Sequence, residues 1–518
     1  MDKLRDHLRA NGWKQTVRAV PMLVRRRLGG SDSPPTLPAP RPQTPQEPAD
    51  PPSGRAISSG PLYPHLGAAT DPELMKGILQ RYLRPFDGTA SRVLECEVRS
   101  VDERRRRCIV QYTLRLGEGG QEGGGRRRIT GLMYADGRAQ QRFEELSPYE
   151  LNHPVPDPST MAAPIFYVSE LDMLAQVFPH DYRLPALSVL MAQRPPELAI
   201  LLLARLGPGD WHVETWSAKL VRYRVAARAT LRLSVRARDP ATGRQEENHY
   251  YAKVYLDEQV AGQTSQVLGA EQTYRVLGQL WDRASMGDEA FTVGRPIAYL
   301  SGLRTVVQEE VSGISLDDVL RQEEEPTWAV RKVARALANL HLSDVIPPRR
   351  RRLRNEVALL EVARKDLLLA RPQLEPEIKE IFGTVVAGLH EVPPAPTHGE
   401  LKTEHLLLEG DRVALIDLDT FVGDDPLWDV ARLSYVLARA ASPDLLLRSD
   451  NAQALVHAFV EEYFAHVPGA WRERLPLHYA GTTFKKAADL VRRKAPSWPE
   501  RVESLLVEAQ QSLDGRVW

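Results

Sequence analysis

Apolar and polar residues alternate in two separate parts of the chain and take helical spacing in a third. "RCIVQYTLR" (Arg107–Arg115) and "RATLRLSVR" (Arg228–Arg236) are apolar at about every second position, the pattern of half-buried strands. At the same offset, "GLMY" (Gly131–Tyr134) faces "AKVY" (Ala252–Tyr255), and further on "PIFYVSEL" (Pro164–Leu171) resembles "PIAYLSGL" (Pro296–Leu303). This order predicts two copies of one mostly β unit. Forty residues separate Tyr255 from Pro296, against twenty-nine between Tyr134 and Pro164. The extra length holds "TSQVLGAEQTYRVLGQLW" (Thr264–Trp281), whose apolar residues recur at helical spacing. The second copy is therefore expected to keep a full helix that the first has shortened or lost. From about Ser315 the pattern is helical, interrupted by two short strands in "HLLLEGDRVALIDLD" (His405–Asp419).

The beginning of the chain reads differently. Leu4, Leu8, Trp13, Val17, Val20, Val24 and Leu28 recur at steps of three to five among Lys3, Arg5, Arg9, Lys14, Arg18 and Arg25–Arg27. That predicts a basic amphipathic helix over residues 1–30, interrupted at Gly12 and Pro21. It suits an anionic membrane surface, a protein partner or a solubilising tail. Nine of the nineteen residues from Pro34 to Pro52 are proline, so 31–60 is expected to be an extended linker without a core. Folded structure should begin near Leu62.

Composition narrows the partners. The 518 residues carry 68 basic and 68 acidic side chains and no formal net charge, which gives no reason to expect a nucleic acid. The runs Arg104–Arg107, Arg126–Arg128 and Arg349–Arg352 read as solvated loops or helix ends. Cys96 and Cys108 are too few for a metal site or a disulfide scaffold, and read as small buried hydrophobes in a reducing compartment. No apolar run approaches the ~18 residues of a membrane span. No secretory signal is seen, so the expected location is cytoplasmic, with peripheral membrane association through residues 1–28 as the variant.

The candidate chemistry lies in "THGELKTEHLLLEGDRVALIDLDTFVGDDPLWDVA" (Thr397–Ala431). Asp417 ends the apolar strand "VALI", a place for either a cation ligand or a turn residue. Asp429 precedes the apolar run "VARLSYVLA" and is expected to cap that helix. Lys253 lies among Tyr250, Tyr251, Val254 and Tyr255, so its ammonium needs an anionic partner unless it stands on an edge strand.

This stretch resembles the catalytic core of the aminoglycoside phosphotransferase family, kinase-like enzymes that phosphorylate hydroxyls of small molecules. His398 and Gly399, Asp417 in "LIDLD", and "DPLWDVA" (Asp425–Ala431) carry the resemblance, which extends over roughly residues 215–510. It implies an α+β, kinase-like fold of two lobes, a β-rich N-lobe (206–312) and a helical C-lobe (313–518). A degenerate N-lobe-like cap (61–205) precedes them. The implied cofactors are ATP and Mg²⁺ or Mn²⁺, and the implied partner is a small-molecule hydroxyl acceptor.

The resemblance also assigns residues, and implies that Asp429 braces the catalytic loop. Glu400 stands where the family has its catalytic Asp, with His398 beside it, and His405 stands where the family has a metal-binding Asn, with Asp417 as the second metal ligand. Lys253 would reach the nucleotide phosphates and pair with Glu271. Glu309 and Val311, in "LRTVVQEEVSG" (Leu303–Gly313), would face adenine. "VRYRVAARAT" (Val221–Thr230) has no glycine-rich phosphate loop, and Arg228 would touch phosphate instead.

Two departures bear on activity. Glu400 is longer than Asp by one methylene, a shift of ~1.5 Å, and misplacement of about 1 Å can cost on the order of a hundredfold in rate. Imidazole is a softer ligand than Mg²⁺ prefers and suits Mn²⁺ better. Besides the enzyme, two other classes fit: a pseudokinase that binds nucleotide without turnover, and a protein kinase. The missing glycine loop and the short interval from Asp417 to Asp425 weigh against the protein kinase. The first copy has Leu132 where the second has Lys253, so it is expected to bind no phosphate.

Overall fold

The structure, a computed structural model, describes residues 62–83, 92–103, 106–117, 125–146, 163–256, 267–287, 289–323, 325–439 and 450–516. The basic segment 1–28 and the proline-rich linker lie outside these residues. The fold is mixed α+β. Two compact units divide it. Of the described residues, the first holds those up to 256, 269–271 and 297–308, and the second holds 267–268, 272–296 and those from 309 to 516. The described residues of 61–205 and 206–256 thus fall in one unit, and the chain finally leaves it between Gln308 and Glu309.

Two five-stranded sheets build the first unit. One contains β1 (Arg92–Glu103), β2 (Arg107–Gly117), β3 (Arg126–Tyr134), β4 (Ile165–Val168) and β5 (Met173–Val177), in the order β1-β2-β3-β5-β4. The other contains β6 (His212–Arg224), β7 (Arg228–Arg238), β8 (Gln245–Tyr255), β10 (Pro296–Leu300) and β11 (Thr305–Glu309), in the order β6-β7-β8-β11-β10. Numbered within themselves, both run first, second, third, fifth, fourth. Registers agree as well: Ile109 pairs with Leu132, and Thr230, at the same offset, pairs with Lys253. In each sheet a single 3₁₀ turn joins the fourth and fifth strands, closed by a left-handed residue, Asp172 or Arg304.

Alternation makes the sheets. Along β7, Ala229, Leu231, Leu233, Val235 and Ala237 are buried and their neighbours are not, so one face enters the core and the other stays polar. β3 differs, because every residue from Ile129 to Tyr134 is buried. Its two faces enter two apolar clusters, one with Tyr112 and Met173, the other with Leu174 and Val225. Cys96 and Cys108 are free thiols in the first of these clusters, and burial pushes both up to about 11. Between β3 and β4 the described residues hold the short helix Ala139–Glu144, whereas the 15-residue helix Ala270–Ala284 lies between β8 and β10. Helices Ala186–Ala192 and Pro196–Leu203 pack on the second sheet through Leu187, Leu190, Leu198 and Leu202.

The second unit is mostly helical. Helices Leu353–Ala370, Glu375–Gly388, Leu475–Arg493 and Trp498–Leu513 share one apolar core around Leu360, Ile381, Phe484 and Leu505. A four-stranded sheet, β12 (Ile314–Ser315), β14 (Leu406–Glu409), β15 (Arg412–Leu415) and β9 (Phe291–Val293), carries the polar segments on its loops. β13 (Ala395–Thr397) pairs with β16 (Val422–Asp424) and fixes the two ends of the segment between them. Among the described residues no single helix is long and apolar enough to cross a membrane.

Candidate active site

The loop after β13 is held from below. The Asp429 carboxylate accepts the backbone N–H of His398 at 2.6 Å and that of Gly399 at 3.1 Å. Asp429 sits inside the first turn of the helix Leu427–Leu437, whose N-cap is Pro426. This corrects the capping role expected from the pattern, since Asp425 accepts the N–H of Leu427 at 3.1 Å, and agrees with the loop-bracing role that the resemblance implies for Asp429. Burial pulls the Asp429 carboxyl upward, but His341, His398 and Arg432 together hold it below its ordinary value. His341 Nε2 lies 3.5 Å away, and its Nδ1 is 2.8 Å from the Tyr463 hydroxyl.

Gly399 is required at its position. Its φ is +83°, and a Cβ there would lie 2.3 Å from the carbonyl oxygen of Thr420. Arg432, one helical turn beyond Asp429, donates to the Gly399 carbonyl at 2.8 Å, and the Thr420 hydroxyl donates to the His398 carbonyl at 3.0 Å. Four fixed contacts therefore turn the chain sharply at Gly399 and leave the next side chain, Glu400, exposed. Lys486 lies within its field: burial lowers the Lys486 pKa and Arg432 adds to that, while Glu400 opposes it.

His398 is buried completely, and its Nε2–H donates to the Ile416 carbonyl at 2.9 Å. That bond ties the loop to the residue before Asp417. The rings of His398 and His405 stack with centroids 5.3 Å apart. His405 Nε2 is 3.6 Å from Oδ2 of Asp417. Asp417 is half-buried and left-handed (φ 60°, ψ 47°), which costs an L-residue about 1–2 kcal/mol. Such strain at a polar residue is typical of sites where a side chain's direction matters more than local stability.

The 3.6 Å between this carboxylate oxygen and this imidazole nitrogen is wider than the ~3.0 Å between neighbouring ligands of an octahedral Mg²⁺, so a side chain would have to shift for both to bind one such ion. No group of three or more His, Cys, Asp or Glu that could hold a metal occurs among the described residues. A cation held by Asp417 and His405 would have to take its other ligands from phosphate oxygens and water.

A buried charge network supports the floor of this region. Lys485 pairs with Glu356 at 2.7 Å, and Arg351 lies 3.5 Å from Glu356 and 2.8 Å from Asp424. Lys485 also rests 3.8 Å from the centre of the Trp428 ring. Burial pushes Asp424 up to about 7 in spite of Arg351.

The remaining sequence candidates fall as follows. Lys253 lies on β8, which pairs with β7 on one side and β11 on the other. β8 is central, so the edge-strand reading of that lysine is overturned. Glu271 is exposed in the first turn of the helix Ala270–Ala284. Arg228 opens β7 opposite Arg224 and Tyr255. These three belong to the first unit. Glu309 and Val311 stand where the chain enters the second unit, and the Glu309 N–H donates to the Arg295 carbonyl at 2.9 Å.

Arg432, His341 and Thr420 are not singled out by the sequence. Arg432 carries a faint signal, being one turn after Asp429. His341 and Thr420 meet the loop only through tertiary contacts.

A search among curated proteins finds no match. A family model described as "Phosphotransferase enzyme family" (APH) matches residues 264–463. Solved structures with similarity include a choline kinase from Cryptosporidium parvum Iowa II, at 10% identity over 62% of this chain and 96% of that one, with a TM-score of 0.41. A second is a putative aminoglycoside phosphotransferase from Ralstonia eutropha, at 14% identity over 61% and 99%, with a TM-score of 0.40. A third is a choline/ethanolamine kinase family protein from Mesorhizobium loti, at 14% identity over 58% and 90%, with a TM-score of 0.36. The matched stretch, residues 264–463, contains the loop from Thr397 to His405.

Proposed function

We propose that this protein transfers the terminal phosphoryl group of ATP to a hydroxyl of a small molecule. The observation that carries the reading is the loop itself: Asp429 holds the amides of His398 and Gly399, and the turn leaves the Glu400 carboxylate exposed. Glu400 orients the acceptor hydroxyl and takes its proton as the new P–O bond forms and the bond to the leaving diphosphate breaks. Buried His398 is a positioning residue that acts through the Ile416 carbonyl. Asp417 and His405 hold a divalent cation, Mg²⁺ or Mn²⁺, which when bound neutralises charge on the phosphates. Lys253, paired with Glu271, and Arg228 bind the phosphates, and backbone groups of Glu309 and Val311 take the adenine. The first sheet is a degenerate copy that binds no nucleotide. Residues 1–28 serve a membrane surface or a protein partner, and the cytoplasm is the place of action.

ATP consumption by the full-length protein, measured with Mg²⁺ and with Mn²⁺ against a panel of hydroxylated small molecules, tests this. Glu400→Gln keeps the shape but cannot accept a proton, so turnover should fall by ~10² or more. Glu400→Asp should retain part of it. Parent-level turnover by Glu400→Gln would sink the proposal.

The second reading is a nucleotide-binding scaffold without turnover. The stacking of His405 on His398 supports it, since that contact packs the ring without any need for a metal. Tight binding of an ATP analogue with no transfer to any acceptor would favour this reading.

A further inference from the structure

The turn between β6 and β7 is built from Val225, Ala226 and Ala227, where an exposed hairpin would normally use Asn, Asp or Gly. Ala226 has φ +52°, a conformation that alanine adopts only under constraint. Val225 and Ala226 are 6% and 2% exposed. They are buried in a cluster with Ile109, Leu132, Ile165 and Leu174 of the first sheet. Leu132 occupies the position that Lys253 has in the second sheet. The face of the first sheet that corresponds to a phosphate-binding face is therefore filled by the hairpin tip of the second.

One carboxylate anchors that tip. Asp181, 2% exposed, follows β5 of the first sheet by four residues. Its Oδ2 accepts the N–H of Ala226 at 2.6 Å and the hydroxyl of Tyr223 at 2.9 Å, and its Oδ1 accepts the N–H of Arg183 at 2.9 Å. A carboxylate removed from water persists when its oxygens are satisfied by such donors. Around it, Gln176 of β5 accepts the N–H of Tyr182 at 3.2 Å, and the Tyr182 and Tyr134 hydroxyls are 2.8 Å apart. The first sheet thus grips the β6–β7 turn by apolar burial and by hydrogen bonds.

We propose that the first sheet is a fixed brace for this turn and that Asp181 is its positioning residue, placing Arg228, two residues beyond Ala226, toward the nucleotide phosphates. The brace takes over the work of a mobile glycine-rich cover, which "VRYRVAARAT" lacks, so nucleotide enters without the turn opening. The role given to Arg228 rests on the phosphotransferase reading above; the brace itself does not.

Two measurements on the full-length protein decide this: deuterium exchange at Val225–Ala227, and affinity for a non-hydrolysable ATP analogue. Asp181→Asn preserves shape but removes the charge and turns one acceptor oxygen into a donor, set either against Ala226 and Tyr223 or against the N–H of Arg183. Exchange at the turn should rise about tenfold or more, and the analogue should bind about three- to tenfold more weakly. Tyr223→Phe removes one donor and should give a smaller change in the same direction; it replaces Asp181→Asn if that variant does not fold. Unchanged exchange overturns the brace. Faster exchange with unchanged affinity overturns its role toward nucleotide. A parent protein that does not bind the analogue defeats the phosphotransferase reading, and exchange still judges the brace.

Discussion

Nε2 of His405 lies 3.6 Å from Oδ2 of Asp417, while the His405 ring stacks on the buried His398. If both atoms face one cation, an imidazole favours Mn²⁺ over Mg²⁺ relative to an oxygen ligand. His405→Asn should shift the ratio of turnover with Mg²⁺ to turnover with Mn²⁺ upward by about tenfold. An unchanged ratio, measured at saturating ATP with each metal, would mean that His405 only packs.

Lys253 stands on a central strand, where it serves no role in guarding a sheet edge. Lys253→Ala should weaken ATP binding or turnover by at least about tenfold. Its melting temperature without ligand should stay close to the parent's. A large fall in that temperature would make Lys253 a structural residue.

Asp429 is buried and carries two loop amides, so its removal leaves two N–H groups without their acceptor and His341 without its nearby carboxylate. Asp429→Ala should cost about 3 kcal/mol or more in urea unfolding, the scale of breaking a buried charged network. A loss below about 1 kcal/mol would show that the loop is held chiefly by Arg432 and Thr420.

Asp424 offers a pH signature. Burial raises its folded-state pKa from 3.8 to about 7, over the opposing pull of Arg351. The folded protein therefore holds a proton that the unfolded chain has released between these values. Stability from this group is fully present below about pH 3.8 and is lost as pH rises through about 7. The parent's stability minus that of Asp424→Asn should fall with rising pH in that window, by up to about 1.4 kcal/mol per unit. A difference that is flat from pH 4 to 7 would show that Asp424 stays ionised beside Arg351.

Alternation and spacing carried much of this protein openly. A strand needs only a two-residue period and a helix only a 3.6-residue one, so β2, β7 and the long C-terminal helices are visible in linear order. The stretches that resemble one another in sequence fall on strands of two sheets with the same strand order. The intervals among His398, Glu400, His405 and Asp417 pointed to a phosphotransferase loop, because a loop that must aim several side chains at one point tolerates few changes of length.

Tertiary structure alone decided the rest. No local pattern says that Asp429 bonds a loop thirty residues upstream rather than capping its own helix; only the resemblance implied it, and the contact itself follows from β13 and β16 pairing, which brings the two segments together. Nor does β8 announce that it is central, since strand order depends on which hydrogen-bonding edges meet. The Val225–Ala226 turn reads as an unremarkable short link, and its apolar residues become intelligible only when the first sheet covers them. Burial of Asp181 beneath that turn joins residues forty-five positions apart, a contact set by packing rather than by any periodicity in the chain.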